Sequence, residues 1–375
     1  MTRLHRTSVG ATAAQSFADW PGFFQAIPKI ELHCHLLGTI QEQTFRELAV
    51  KSRAPISSDE ISKYYVRGEK PVGVLKAFRT IERHLLSTVD HLYRLTIEYL
   101  QSLSEHRVRY AEFFWNPTGA LAHANYTFSQ AQEAIAAAII DARASWGVES
   151  RLIVAIDREA SVRSALEVVA LAVAHRSELT IGLGIDYREN DRPPRLFAEA
   201  YKMARSAGLK TTAHAGEFGM HWSNVAEALD ILKVDRIDHG YTIIESEDLV
   251  RRCVQEGRVF TVVPTNSYYL RTLPRERWAL DHPIRHMPGL GLKIHPNTDD
   301  PALHLTTPTN SWLMMSRDFG FDLSHIREFM LNGLDGAWID DSTRRRWRSE
   351  FLQAFDDIER KYLSSLDNSQ IQSAQ

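Results

Sequence analysis

At 375 residues the chain has room for one large domain or two average ones, and 44% hydrophobic with 24% charged residues suits a chain that buries a sizeable core. A formal net charge of -3 gives no basic footprint for nucleic acid or an anionic membrane surface, which leaves a small molecule as the expected partner. No run approaches the ~18 apolar residues of a membrane helix. Cys34 and Cys253 are too few and too far apart for a disulfide framework, so a reducing, cytoplasmic setting is expected.

Residues 1–17 carry Arg3, His5 and Arg6 and then small polar residues, with no apolar segment of signal-peptide length, and read as a flexible leader. Phe17, Trp20, Phe23 and Phe24 predict a short amphipathic helix over 16–26. A β-favouring segment follows at 30–35, opened by Pro28 and closed by Gly38. Side chains alternate faces in a strand, so His33 and His35 project together and can grip one metal ion, while Leu32 and Cys34 face the packing side. Taken alone the pair is a modest signal, since His-x-His also arises by chance. Residues 41–105 read as helical, with apolar spacings of three and four, such as Val74, Leu75 and Phe78. Gly68, Pro71 and Gly73 interrupt that stretch, which suits several helices over one mouth of a barrel rather than one rod.

Strand-like segments then recur at 108–115, 151–157, 181–186, 209–214, 235–240, 259–264 and 292–297, with helical patterns between most of them. With 30–35 that makes eight β/α units, which predicts a closed (β/α)8 TIM barrel with extra helices after strand 1 and at the C-terminus. Residues 18–366 are read as this single barrel and 367–375 as a frayed polar tail.

In such a barrel the reactive side chains sit at the C-terminal ends of the strands. Strand 1 ends with His33 and His35, strand 5 with Thr212-Ala213-His214-Ala215-Gly216-Glu217, strand 6 with Asp238-His239-Gly240 and strand 8 with Asn297-Thr298-Asp299-Asp300-Pro301. Three histidines and a carboxylate from strands 1, 5 and 8 form a set that would suit one Zn2+ with a position left open for water. Each piece has a plainer reading: His214 as a core histidine, Glu217 as a helix-start carboxylate, Asp299-Asp300-Pro301 as a turn. Their joint occurrence at strand ends argues against all three together.

The chain resembles the adenosine and adenine deaminase branch of the amidohydrolase superfamily, in Pro-Lys-Ile-Glu-Leu-His-Cys-His at 28–35, His-Ala-Gly-Glu at 214–217, Arg-Ile-Asp-His-Gly at 236–240 and Thr-Asp-Asp-Pro at 298–301. Four motifs in order over most of the chain are far more specific than any one of them. The resemblance implies that His33, His35, His214 and Asp299 bind one zinc ion per chain, and that His239 orients and deprotonates the attacking water. It further implies that Glu217 protonates a ring nitrogen, that Asp300 holds the far side of the heterocycle, and that ammonia leaves. Gly184 and Asp186 of strand 4 are the other substrate contacts it implies.

Two departures fall where the family recognises substrate. Leu37 stands where adenosine deaminases usually carry Asp and adenine-type relatives Glu, and a leucine accepts no hydrogen bond. Strand 4 runs Gly184-Ile185-Asp186-Tyr187-Arg188-Glu189-Asn190 instead of Gly-Ile-Asp-Leu-Ala-Gly, which puts a bulkier, charged loop, Glu189 included, where the purine edge is expected. The expected reaction is deamination of an adenosine- or adenine-like aminopurine, with specificity shifted at Leu37 and Glu189. Hydrolysis of a non-purine cyclic amide or ester by the same site, and a purine-binding pseudoenzyme, remain the alternatives. The His-x-Glu and Pro-Cys-x-x-Cys signature of nucleic-acid deaminases does not occur. Oligomeric state and the roles of His282, His286, His295 and His304 are not legible.

Overall fold

The computed structural model describes residues 21–67 and 73–373. The leader, the first part of the 16–26 helix, Gly68 and Pro71 lie outside the described residues. Eight strands pair in parallel and in sequence order: β1 Lys29–Glu31, β2 Val108–Trp115, β3 Glu149–Asp157, β4 Thr180–Asp186, β5 Lys210–Ala215, β6 Arg236–His239, β7 Val259–Val262 and β8 Lys293–Pro296. Helices cover the outside, as a parallel sheet requires if both faces are to be dry. The (β/α)8 barrel expected from the strand rhythm is the fold.

The eighth strand meets the first through a few specific bonds. Leu32 N donates to the Asn297 side chain at 2.8 Å, Asp299 N to His33 O at 2.9 Å, and His35 N to Asp299 O at 2.8 Å. On the other side, Phe114 N of β2 donates to Cys34 O at 2.7 Å. Regular β1 therefore ends at Glu31, earlier than the expected 30–35, because the Asn297 side chain takes the place of a ladder partner at Leu32. Residues 34 and 35 still form parallel bridges to Asp299 and Phe114, so His33 and His35 keep the common face that alternation predicts.

Between β1 and β2 the excursion is indeed several helices, Glu42–Lys51, Ser58–Tyr64, Val74–His84 and Val89–Glu105. Ser57 starts the second with a capping box, its side chain on Glu60 N and the Glu60 carboxylate on Ser57 N. Helix Val74–His84 buries Ala77, Phe78, Ile81 and Glu82 against the C-terminal mouth of the barrel. The chain's last helix runs Asp341–Ser373, past the point at which a frayed tail is expected at 367. No helix among the described residues is long and apolar enough to cross a membrane.

At the N-terminal end of the barrel the buried Arg236 donates to Glu112 at 2.5 Å, Gly336 O at 3.0 Å and Leu32 O at 3.1 Å, tying the segment just after β1, β2, β6 and the helix Leu323–Gly336 together. Glu112 also accepts from Trp338 N at 2.6 Å and Tyr110 Oη at 2.9 Å. Removing one partner of such a buried pair strands the other charge. Arg236→Met is expected to cost ~3–5 kcal/mol, read as a lowered urea midpoint. An unchanged midpoint would contradict this account of the N-terminal end.

Candidate active site

The C-terminal ends of β5, β6 and the segments after β1 and β8 converge. His33 Nε2 and His35 Nε2 lie 3.1 and 3.0 Å from His214 Nε2, and the two approach Asp299 Oδ1 at 3.5 and 3.2 Å. All four residues are buried. Asp299 has φ 62° and His239 φ 64°, left-handed conformations that non-glycine residues rarely hold without external constraint. At Asp299 the constraint is visible, since its N–H and C=O are both bonded to the segment 33–35. Gly240, φ 74°, continues the β6 turn, and a Cβ there would come within 2.4 Å of the Phe260 ring. Gly38 lets the backbone after the histidines pass Asp300, whose Cα would be 2.6 Å from a Cβ at that position.

The outer nitrogens decide which way the inner lone pairs point. Thr261 Oγ1 donates to Asp238 Oδ1 at 2.8 Å, so it accepts from His33 Nδ1 at 3.1 Å. His214 Nδ1 lies 3.3 Å from Asp238 Oδ2, and His35 Nδ1 lies 3.5 Å from Asp186 Oδ2. With each Nδ1 protonated toward its acceptor, three Nε2 lone pairs and the Asp299 carboxylate face one another, and none can donate to the rest. A cation satisfies that arrangement, and three imidazoles with one carboxylate suit a single divalent metal.

His239 and Glu217 flank this set, with His239 Nε2 3.5 Å from Glu217 Oε2. Tyr241 Oη accepts from Val263 N at 2.9 Å, and with its proton on Val263 O at 3.2 Å it also accepts from His239 Nδ1 at 3.3 Å. That leaves His239 Nε2 as an unprotonated, buried nitrogen without a hydrogen-bond partner. Burial, and then His33 and His214, hold its pKa well below the usual histidine range. Glu217 is the opposite case: burial, and then Asp299, push its carboxyl well up, while Asn266 Nδ2 donates to its Oε1 at 3.0 Å. Asp300 is likewise pushed up by burial and by Asp299, and its buried Oδ1 has no partner. Asp238 runs the other way: burial alone would raise it, but His214, His33 and Arg236 hold it low.

These groups open into a cavity of ≈ 560 Å³ lined on its outer part by Val74, Leu75, Phe78, Tyr187, Phe218 and Tyr268. A larger cleft of ≈ 900 Å³ at the opposite end of the barrel holds none of the expected site residues. Of the expected substrate contacts, Asp300 and Asp186 line the cavity, although Asp186 is engaged by His35 and by Asn116 Nδ2 at 2.7 Å. The other three do not line it. Leu37 lies in the 3-10 turn Leu36–Thr39 and packs into the core under the helical excursion. Gly184 is closed off by Phe114, 2.6 Å from where a Cβ would sit. Glu189 turns inward and accepts from Gly216 N at 2.8 Å, Glu217 N at 3.0 Å and Asn224 Nδ2 at 2.7 Å, so it fixes the loop that carries Glu217. Tyr187, φ 68°, makes that reversal.

Sequence reasoning gave no role to Asp238, Thr261 or Asn266. Asp238 sits inside a quoted motif, and Asn266 carries the signature of an N-cap after β7, which it is for the helix Ser267–Thr272. Of the surplus histidines, His304 lines the cavity and His286 is exposed. His282 and His295 are buried structural groups, His282 Nδ1 accepting from Ile284 N at 3.1 Å and His295 bridging Phe329 O and Ile30 O at 2.9 and 3.0 Å. Cys34 is buried among apolar side chains and Cys253 is unpaired.

Fold and site together define a barrel hydrolase that uses a metal ion to cleave C–N bonds. The sequence profile of the adenosine deaminase family matches residues 28–354, and the chain belongs to that family. Among curated relatives it is 31% identical over 331 residues to an adenine deaminase of Psychrobacter cryohalolentis, covering 88% of this chain and 97% of that one. It is 32% identical over 333 residues to an adenine deaminase of Rhodospirillum rubrum, covering 86% and 96%. A solved amidohydrolase from B. ambifaria with bound zinc superposes with a TM-score of 0.91 at 52% identity, covering 96% of this chain and 97% of that one. Adenine deaminase from Arthrobacter aurescens gives 0.79 at 29%, covering 88% and 99%.

The outer carboxylate that touches both His214 and, through Thr261, His33 has a measurable role. Asp238→Asn is expected to weaken metal binding by about 10–100-fold with the fold intact, followed by competition with a chelating dye. Undiminished affinity would contradict the orientation of the two histidines given above.

Proposed function

We propose that the chain is a zinc-dependent deaminase that hydrolyses the exocyclic amine of an aminopurine or closely related aminoheterocycle, with one zinc ion held by His33, His35, His214 and Asp299. The observation that carries the reading is the pair of buried groups beside the metal set, His239 Nε2 3.5 Å from Glu217 Oε2, whose imidazole burial pushes down and whose carboxyl burial pushes up. The zinc-bound relative of 52% identity and the curated adenine deaminases support the metal and the substrate class. Two buried, unpaired cysteines fit a reducing cytoplasm.

When bound, zinc acidifies water so that a nucleophile is available near neutral pH. His239 Nε2 takes the proton of the attacking water. Glu217 gives its proton to the ring nitrogen next to the amino-bearing carbon, which lets that carbon accept the oxygen. His239 then passes its proton to the departing amine, the C–N bond breaks, and the adduct's hydroxyl proton returns to Glu217. One water is consumed, one ammonia leaves, and both side chains are reset. Asp300, protonated and with a free buried oxygen, hydrogen-bonds the far edge of the heterocycle. The second reading, a cyclic amide or ester hydrolase, gives Glu217 no ring nitrogen to protonate.

Amine release by the zinc-loaded chain, ammonia from adenine and adenosine and the substituted amine from N6-substituted adenines, tests the proposal, and Glu217→Gln is expected to lose at least about a thousandfold in kcat. Release from none of them would overturn it. The pH profile should be bell-shaped. A group whose pKa is raised serves as an acid until pH rises through that pKa, so activity is lost on the alkaline side as Glu217 deprotonates. A lowered pKa keeps His239 a base until pH falls through it, so the acid limb lies well below the usual histidine range. An acid limb in that ordinary range would contradict the assignment of His239.

A further inference from the structure

The cavity is larger and differently charged than a bare base needs. Its ≈ 560 Å³ falls within the range of about 300–1,000 Å³ that encloses drug-sized ligands. Its carboxylates, Asp186, Glu217, Asp299 and Asp300, are all buried at the floor. The mouth carries Lys76, Arg79, Arg188 and Arg271 against one carboxylate, Glu159.

The mouth cations are not equivalent. Arg79 is spent on Asp157 at 2.7 and 3.1 Å and lies 3.9 Å over the Tyr187 ring, while Arg188 pairs with Glu159 at 2.5 Å. Neither Lys76 nor Arg271 has a carboxylate partner among the described residues. Arg271 donates Nε to Ser267 O at 3.1 Å, one turn earlier in the same short helix, and keeps its terminal nitrogens free. Of the two acids in the loop after β4, Glu189 faces away from the cavity and Asp191 does not line it.

A polar track connects floor and mouth. His304 Nε2 lies 3.7 Å from Asp300 Oδ2 and 3.4 Å from Ser267 Oγ, with Nδ1 3.3 Å from Thr265 Oγ1, three long contacts for a buried imidazole. Arg67 donates to Ser267 Oγ at 2.9 Å from behind. The facing wall of Val74, Leu75 and Phe78 is apolar. A heterocycle seated between Glu217 and Asp300 thus has one oily side, and one side lined with donors that ends in two cations, Arg271 and Lys76, with no carboxylate within ion-pair distance among the described residues.

We propose that the substrate is an aminopurine bearing an anionic substituent, a phosphate or a carboxylate, which runs past His304 and Ser267 to Arg271 and Lys76. The inference rests on the deaminase reading above and names its substrate class. Unpaired rim cations attract an anion through solvent, so the effect is expected in kcat/KM and in its dependence on salt.

The test compares kcat/KM of the zinc-loaded chain for adenine and adenosine with that for adenosine 5′-monophosphate and 9-carboxymethyladenine. At least one anionic compound is expected to exceed both neutral ones by about tenfold or more, and which of them does identifies phosphate or carboxylate. That advantage should shrink between about 0.05 and 0.5 M NaCl. It should fall roughly tenfold in Arg271→Gln, mostly through KM, and less in Lys76→Gln. Arg163→Gln, which removes a surface charge from an outer helix, should leave it alone. Neutral compounds handled as well as anionic ones, or a preference that neither rim variant moves, would overturn the inference while the deaminase stands. Ammonia from none of the four would overturn the reading of the site, and this inference with it.

Discussion

The structure depends on how the first strand meets the last. Two backbone bonds between the segment 33–35 and Asp299, with the Asn297 side chain on Leu32 N, join the barrel's ends. The same bonds set three of the four metal ligands in one frame. Thr298 adds to the seam, donating N and Oγ1 to the buried Glu31 at 3.2 and 2.9 Å. Barrel closure and ligand geometry are thus one constraint, and the left-handed turn at Asp299 is held by the bonds that use it. A loop could not place a ligand with that accuracy, because its backbone would be free to move with the metal.

From that frame the electrostatics follow. Each inward-facing histidine is turned by an outer acceptor, Thr261, Asp186 or Asp238, and Asp238 is in turn held low against burial by His214, then His33, with a smaller contribution from Arg236. The arginine that ties the N-terminal end of the barrel together also lies 3.9 Å from Asp238, so it faces both the packing below and the carboxylate that turns His214. Beside the metal set, burial acts in opposite senses on a carboxyl and an imidazole. It pushes the Glu217 carboxyl up and the His239 imidazole down. One dry pocket makes an acid and a base of the two groups at the same pH.

Much of this was legible in the sequence because a parallel barrel repeats one unit and concentrates chemistry at strand ends. The histidines, Glu217 and the Asp pair occupy such ends, so the periodicity that located the strands located the site. What was not legible involves side-chain direction and distant partners. Leu37 and Glu189 stand at positions facing substrate in the family pattern, yet Leu37 is carried into the core by a 3-10 turn and Glu189 is turned back by Tyr187 onto the Glu217 loop. Neither a single turn of 3-10 helix nor one left-handed residue leaves a periodic trace. Thr261 and Asn266 act on residues far away in the chain, a relation that only the folded barrel creates. His304 gained meaning only when its neighbours became known.

The central claim is that four side chains, three of them fixed by the barrel seam, hold one zinc ion. Metal analysis of the purified chain after dialysis tests it most directly, with His214→Ala alongside. The account predicts one equivalent of zinc per chain, lost in the variant, and a Tm that rises on adding zinc only when His214 is present. A chain that keeps no zinc, or a variant that keeps as much as the parent, would contradict it.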